Sequence, residues 1–264
     1  MEMGKTKMCL LCYFEPNAEI DTRDLELACE SNPDGFGFSI LKPTGEIITR
    51  KSMNHGELID QFLEMREMNP NSHSIFHARI ATAGAIALEN CHPFNITGLN
   101  AVIGHNGHLT VQIPANDSRS DSRIFAESIL PNRISALDSF KGIQKLEKWA
   151  GSSKLVILNG DSRLSQPVYF LNESLGHWKN GGWFSNWSYC DFSSGIGNFN
   201  QMNWFDFCTN CGGRLEDESF EFGFCELCFS CLDCLADADS CMCFTPSNYS
   251  EKTMFNSSEW NSSW

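Results

Sequence analysis

The sequence predicts an α+β fold, with one main domain over residues 9–200 and a small cysteine-rich appendage over residues 206–244. Three observations carry this. Apolar runs of strand composition, such as residues 74–80 and 101–105, end in polar and Gly residues that a buried strand does not tolerate. Residues 55–68 instead place Leu58, Ile59, Phe62 and Leu63 on one face at helical spacing. After Phe199 both patterns give way to paired cysteines.

A chain of 264 residues that is 42% hydrophobic and 12% aromatic can build a sizeable core beside such an appendage. Its 19 basic and 33 acidic residues leave a net charge of −14, which repels phosphate backbones and anionic membranes and disfavours nucleic-acid binding by bulk charge. No stretch approaches the ~18 uninterrupted apolar residues of a membrane span. Residues 1–8, MEMGKTKM, lack the apolar region of a signal peptide, so a cytoplasmic protein is expected. In a reducing compartment, 13 cysteines point to metal ligation and catalysis instead of disulfides.

In chain order, residues 8–14 read as the first buried strand and contain Cys9 and Cys12. Residues 22–31 have the cap and spacing of a short helix, and NPDGFGFSI follows as a turn into a strand whose Gly35 and Gly37 permit close backbone approach. Pro43 to Glu46 turns between two strands, and the helix of residues 55–68 comes next, with Met65 and Met68 as core filler. The strand of residues 74–80 stops at His77, Arg79, Thr82 and Gly84; the strand of residues 101–105 stops at His105, Asn106 and Gly107. The planar fork of an Arg suits a carboxylate, and an Asn amide beside a Gly N–H can hold an oxyanion. Residues 109–113 read as a strand, Ser120-Asp121-Ser122 opens a helix with Asp121 as cap or ligand carboxylate, and residues 134–149 read as a second helix. KLVILN, PVYFLN and GHWKNGGWF then supply strands that finish the second sheet.

HARIATAG, NCHPF and HNG resemble the corresponding segments of class II glutamine amidotransferase domains, in scattered motifs over residues 8–190. The resemblance implies a four-layer αββα N-terminal-nucleophile hydrolase sandwich and hydrolysis of the glutamine side-chain amide. It implies Cys9 as nucleophile, Asn106 and Gly107 as oxyanion donors, Arg79 on the substrate carboxylate and Asp121 on its ammonium, with Thr82 and His92 beside the substrate. An ammonia-accepting synthase or synthetase is the implied partner. Ser31 stands where the family usually carries an Arg, a departure at the element expected to fix the Cys9 end of the chain. A different amidase on the same fold and a non-catalytic zinc-binding adaptor are the rival readings.

Cys9 alone offers an α-amine beside a thiol if the chain begins there, and such an amine titrates near ~8 and accepts the thiol proton. Residues 1–8 are therefore expected to be a leader or a non-native start, with translation from Met8. Cys208-x2-Cys211, 13 residues, then Cys225-x2-Cys228 has the spacing of a zinc ribbon. Cys231, Cys234, Cys241 and Cys243 suffice for a second site. Nine acidic residues and a single base, Arg214, over residues 206–241 suit a protein partner or a structural role. Residues 245–264 are polar and expected to be disordered alone. The purified chain should carry structural zinc, and Cys208→Ser should release metal without stopping glutamine hydrolysis. Metal analysis of both proteins, together with an activity assay, checks this; iron or no metal is the contrary result.

Overall fold

The computed structural model describes residues 9–81, 84–190 and 224–225. The leader of residues 1–8, Thr82, Cys208, Cys211, Cys228, Cys231, Cys234, Cys241, Cys243 and the tail of residues 245–264 lie outside the described residues. Of the expected ribbon, Phe224 and Cys225 are described, and Cys225 is fully buried.

Two antiparallel sheets form the body. The first contains β1 (Leu10–Phe14), β2 (Phe36–Leu41), β3 (Ile47–Ser52) and β4 (His73–Ala78). The second is built from β5 (Phe94–Asn95), β6 (Ala101–Asn106), β7 (Lys154–Asn159) and β8 (Val168–Leu171), in that order. A hairpin of β9 (His177–Lys179) and β10 (Gly182–Phe184) joins the first sheet, whose order is β3-β2-β4-β1-β10-β9. This differs from the expectation that these last strands finish the second sheet. The reason is side-chain alternation: Trp183 turns its fully buried ring between the sheets while Phe184 packs on the opposite face against Phe14, which places β10 beside β1. Asn180 and Gly181, with φ of 51° and 75°, make the tight turn this hairpin needs.

Helices α1 (Thr22–Ser31) and α2 (His55–Met68) pack on the outer face of the first sheet, where Leu25, Ala28, Leu58 and Phe62 meet Leu10, Cys12 and Phe76. Asp21 and Asn54 cap them by accepting backbone N–H groups of Arg23 and Glu57. A second cluster, Leu11, Tyr13, Ile75 and Trp183 against Val102, Val156 and Leu158, lies between the sheets. A third joins the other face of the second sheet to Phe125, Leu130, Leu137 and Leu146. Strands buried on both faces explain why the sequence shows continuous apolar runs.

Three further expectations are corrected. Residues 109–113 form no strand: the Leu109 N–H is taken by Asp121 Oδ2 at 2.8 Å, and the Val111 N–H turns back to Leu109 O. Ser120, not Asp121, caps α3 (Asp121–Ile124), its Oγ accepting the Arg123 N–H. The helix expected over residues 134–149 divides into a 3-10 segment, Leu130–Ala136, and α4 (Phe140–Ala150), because Ser139 leaves helical geometry to cap Gly142 N–H. Trp183→Ala should lower the unfolding free energy by about 3–5 kcal/mol, as emptying a fully buried aromatic site does. Denaturant titration checks this; a loss below about 1 kcal/mol would contradict the packing described.

Candidate active site

Cys9 sits one residue before β1 and retains partial exposure. Its thiol lies against the backbone just past β4: Sγ donates to Ile80 O at 3.3 Å and faces the Ile80 N–H at 3.3 Å. Burial pushes the thiol up to about 11; the Ile80 backbone and the Arg79 guanidinium pull it down, and the Asp121 carboxylate raises it. The three charged or ionisable groups singled out in sequence therefore share one electrostatic environment. Cys12 is different, being fully buried in the core between Phe76 and Phe184 in register, with its thiol held well above the usual range by burial. That is an inert packing residue.

Arg79 is buried, and its Nη1 donates to Ala85 O at 3.2 Å. Its backbone is clasped by the turn before β2, with Arg79 N–H to Gly35 O at 2.8 Å and Asp34 N–H to Arg79 O at 2.9 Å. Asp34 Oδ2 also accepts the Ala81 N–H at 2.8 Å, so one turn shapes the stretch carrying Arg79 and Ile80. Gly35 is required there, since at φ 129° a Cβ would stand 2.3 Å from Cys91 Sγ. Asn90, the first residue of the NCHPF segment, joins this stretch to Asp121. Its Nδ2 donates to Ala85 O at 3.2 Å and Ser118 O at 2.8 Å, and its Oδ1 accepts the Ser120 N–H at 3.1 Å.

Asp121 is buried, with Oδ1 accepting Ser122 N–H at 2.7 Å and Oδ2 accepting Leu109 N–H at 2.8 Å; exposed His108 lies 3.6 Å from Oδ2. Asn106 ends β6, buried, with Nδ2 donating to Ser185 Oγ at 2.9 Å. Gly107 follows at φ 135°, and a Cβ there would stand 2.7 Å from Ser153 Cα, so no other residue fits without a backbone shift. Lys154, 1% exposed, stands opposite Asn106 in the β6–β7 register. Nothing in KLVILN marks this lysine as buried.

No known family profile matches the sequence. A Haemophilus influenzae protein that carries a provisional glutamine amidotransferase name is 28% identical over 152 residues, covering 50% of this chain and 51% of that protein. The chain is similar to a glutamine amidotransferase. It spans about half the length of the relative it matches. Among solved structures, the glutamine phosphoribosylpyrophosphate amidotransferase of B. subtilis, complexed with ADP and GMP, is similar at 13% identity and a TM-score of 0.38, covering 67% of this chain and 41% of that one.

His77, His92 and His105 form a buried group under the site. The His77 and His92 rings stack with centroids 4.1 Å apart, His77 Nε2 donates to His105 O at 2.8 Å, and His105 Nδ1 meets Ser122 Oγ at 2.7 Å. Burial drives His77 down to about 3, His105 down to about 4 and His92 well below its ordinary value. All three are neutral at pH 7 and poor proton acceptors. His92, expected beside the substrate, is 4% exposed and wedged between His77 and Phe94. Asn90→Ala should cost about 1–3 kcal/mol, because the buried Ser120 N–H loses its acceptor. Unfolding measurements check this, and an unchanged midpoint would remove Asn90 from the frame of the site.

Proposed function

We propose that the chain carries a class II glutamine amidotransferase domain, a four-layer αββα N-terminal-nucleophile sandwich, that hydrolyses the side-chain amide of glutamine. Three apolar clusters, one under each helical layer and one between the sheets, support the layer order. One observation carries the reaction: a partly exposed thiol lies within the electrostatic reach of one buried guanidinium and one buried carboxylate. That set matches an amino acid's α-carboxylate and α-ammonium, with the amide extended toward sulfur.

A thiol near 11 leaves on the order of one in ten thousand molecules as thiolate at pH 7, so the reaction requires a base. The histidines do not serve, and the α-amine of a chain beginning at Cys9 does. It takes the Sγ proton as sulfur attacks the amide carbon. The tetrahedral oxyanion is held by the second N–H of Asn106 Nδ2 and the Gly107 N–H. Collapse breaks the C–N bond, the α-ammonium returns its proton to the leaving nitrogen, and ammonia departs from a γ-glutamyl thioester. Water, losing a proton to the amine, then attacks the thioester and frees glutamate and the thiol. Arg79 holds the substrate carboxylate and Asp121 the ammonium, with Thr82 beside them.

The ammonia is consumed by a separate synthase or synthetase. Among the described residues no helix is long and apolar enough to cross a membrane. The cysteine-rich segment is read as a structural zinc ribbon held by Cys208, Cys211, Cys225 and Cys228, and the full burial of Cys225 fits a thiolate ligand in a closed site.

A chain starting at Cys9 should release glutamate and ammonia from glutamine, with kcat/KM rising with pH through the amine pKa near ~8, where the amine loses its proton and becomes a base. His77, His92 and His105 should contribute no step at ~6.5, since they are already neutral. Cys9→Ala should abolish turnover, Asn106→Ala should lower kcat by about two to three orders of magnitude, and Arg79→Lys should act mainly on KM. Full turnover by protein whose intact mass still includes residues 1–8 would overturn the α-amine mechanism.

A further inference from the structure

Strand β10 stops at Phe184, yet its hold on the start of the chain's first strand continues for two residues through one backbone bond and two side chains. The Ser185 N–H donates to Leu11 O at 2.9 Å, and the Leu11 N–H donates to Ser185 Oγ at 2.9 Å, so a hydroxyl stands where a ladder carbonyl would. The same Oγ accepts from Asn106 Nδ2. One residue on, Asn186 Nδ2 donates to Cys9 O at 2.8 Å while its Oδ1 accepts the Ser188 N–H at 2.9 Å. That pair of bonds fixes which end of the amide faces Cys9. Ser185 is fully buried and Asn186 is 4% exposed.

Cys9 needs such a hold. The pairing of β1 with β4 begins at Leu10 and that with β10 at Cys12, which leaves the Cys9 carbonyl outside both ladders. Ser31, at the position where an Arg was expected, is exposed at the end of α1. With its carbonyl pinned by Asn186 and its thiol lodged against Ile80, the Cys9 backbone cannot turn about its Cα, and the direction of its nitrogen is set. Asn106, meanwhile, comes from the other sheet and is tied to Leu11, two residues from the thiol, through a single oxygen.

We propose that Ser185 and Asn186 are positioning residues for the glutamine reaction: Asn186 orients the nucleophilic residue through its carbonyl, and Ser185 sets the oxyanion donor Asn106 in register with it across the two sheets. This rests on the reading of the reaction given above. The two residues touch no reacting atom; they act through Cys9 and Asn106. A positional error of about 1 Å costs on the order of a hundredfold in rate, which sets the scale of the effect.

The test uses the full chain, processed to begin at Cys9, with glutamine kinetics and with site-resolved mass spectrometry of iodoacetamide labelling at fixed pH. Asn186→Leu, close in size and uncharged, should lower kcat about ten- to a hundredfold with KM within about twofold. Its freed Cys9 should be alkylated about tenfold faster, with Cys12 and Cys29 still protected in the core. Ser185→Ala should lower kcat similarly, yet add nothing in an Asn106→Ala background, as expected of a residue acting through Asn106. Wild-type kcat and labelling in Asn186→Leu, or an additive Ser185 effect, would overturn the proposal. So would labelling of Cys12 and Cys29 together with Cys9, which marks loss of fold alone. If the parent protein hydrolyses no glutamine, labelling still decides: selective acceleration at Cys9 upholds the Asn186 anchor while the proposed reaction fails, and unchanged labelling removes the anchor as well.

Discussion

The pairing of β1 with β4 on one side and β10 on the other is the constraint from which the site follows. It places Leu10 opposite Ala78 and Cys12 opposite Phe184, so Cys9 emerges where both neighbouring strands also end. Backbone that has left a ladder still carries unpaired N–H and C=O groups, and these are what meet Cys9. Ile80 presents its amide to the thiol, and Asn186 its side chain to the carbonyl. The strand interiors on either side are apolar and tightly packed, which gives these bonds a firm base.

Desolvation governs the electrostatics. The same burial that lifts the Cys9 thiol pushes His77, His92 and His105 down, since each charged form loses water. Three imidazoles within a few residues of the site would invite assignment as bases if proximity alone were weighed. Neutral, packed ring against ring, and with His77 bonded to the His105 carbonyl, they read better as polar packing between β4, β6 and the segment before β5. Arg79 and Asp121 are held by fixed partners, Ala85 O for one and the Ser122 and Leu109 amides for the other. Asn90 links the loops that carry them.

Much of the fold was legible because its strands and helices announce themselves locally. The apolar runs around Phe76 and Ile103, and the spacing of Leu58, Ile59 and Phe62, match β4, β6 and α2 closely. Residues 109–113 misled for a physical reason: Leu109, Val111 and Ile113 alternate as a strand does, but the Leu109 amide is claimed by a carboxylate twelve residues ahead, and no ladder partner lies alongside among the described residues. A side-chain acceptor that arrives from a distant element leaves no trace in a local pattern.

By itself the sequence determined which residue types are available for chemistry and where strands end: Cys9 at the start of an apolar run, Arg79 and Asn106 just beyond two others, Asp121 at a helix start. Those are properties of composition and period, which act over a few residues. Only the tertiary structure decided that β9 and β10 join the first sheet, that Ser185 and Asn186 thereby reach Leu11 and Cys9, and that Lys154 stands buried opposite Asn106. Sheet membership depends on which faces bury Trp183 and Phe184 against residues more than 100 positions away, so nothing within the run GHWKNGGWF specifies it.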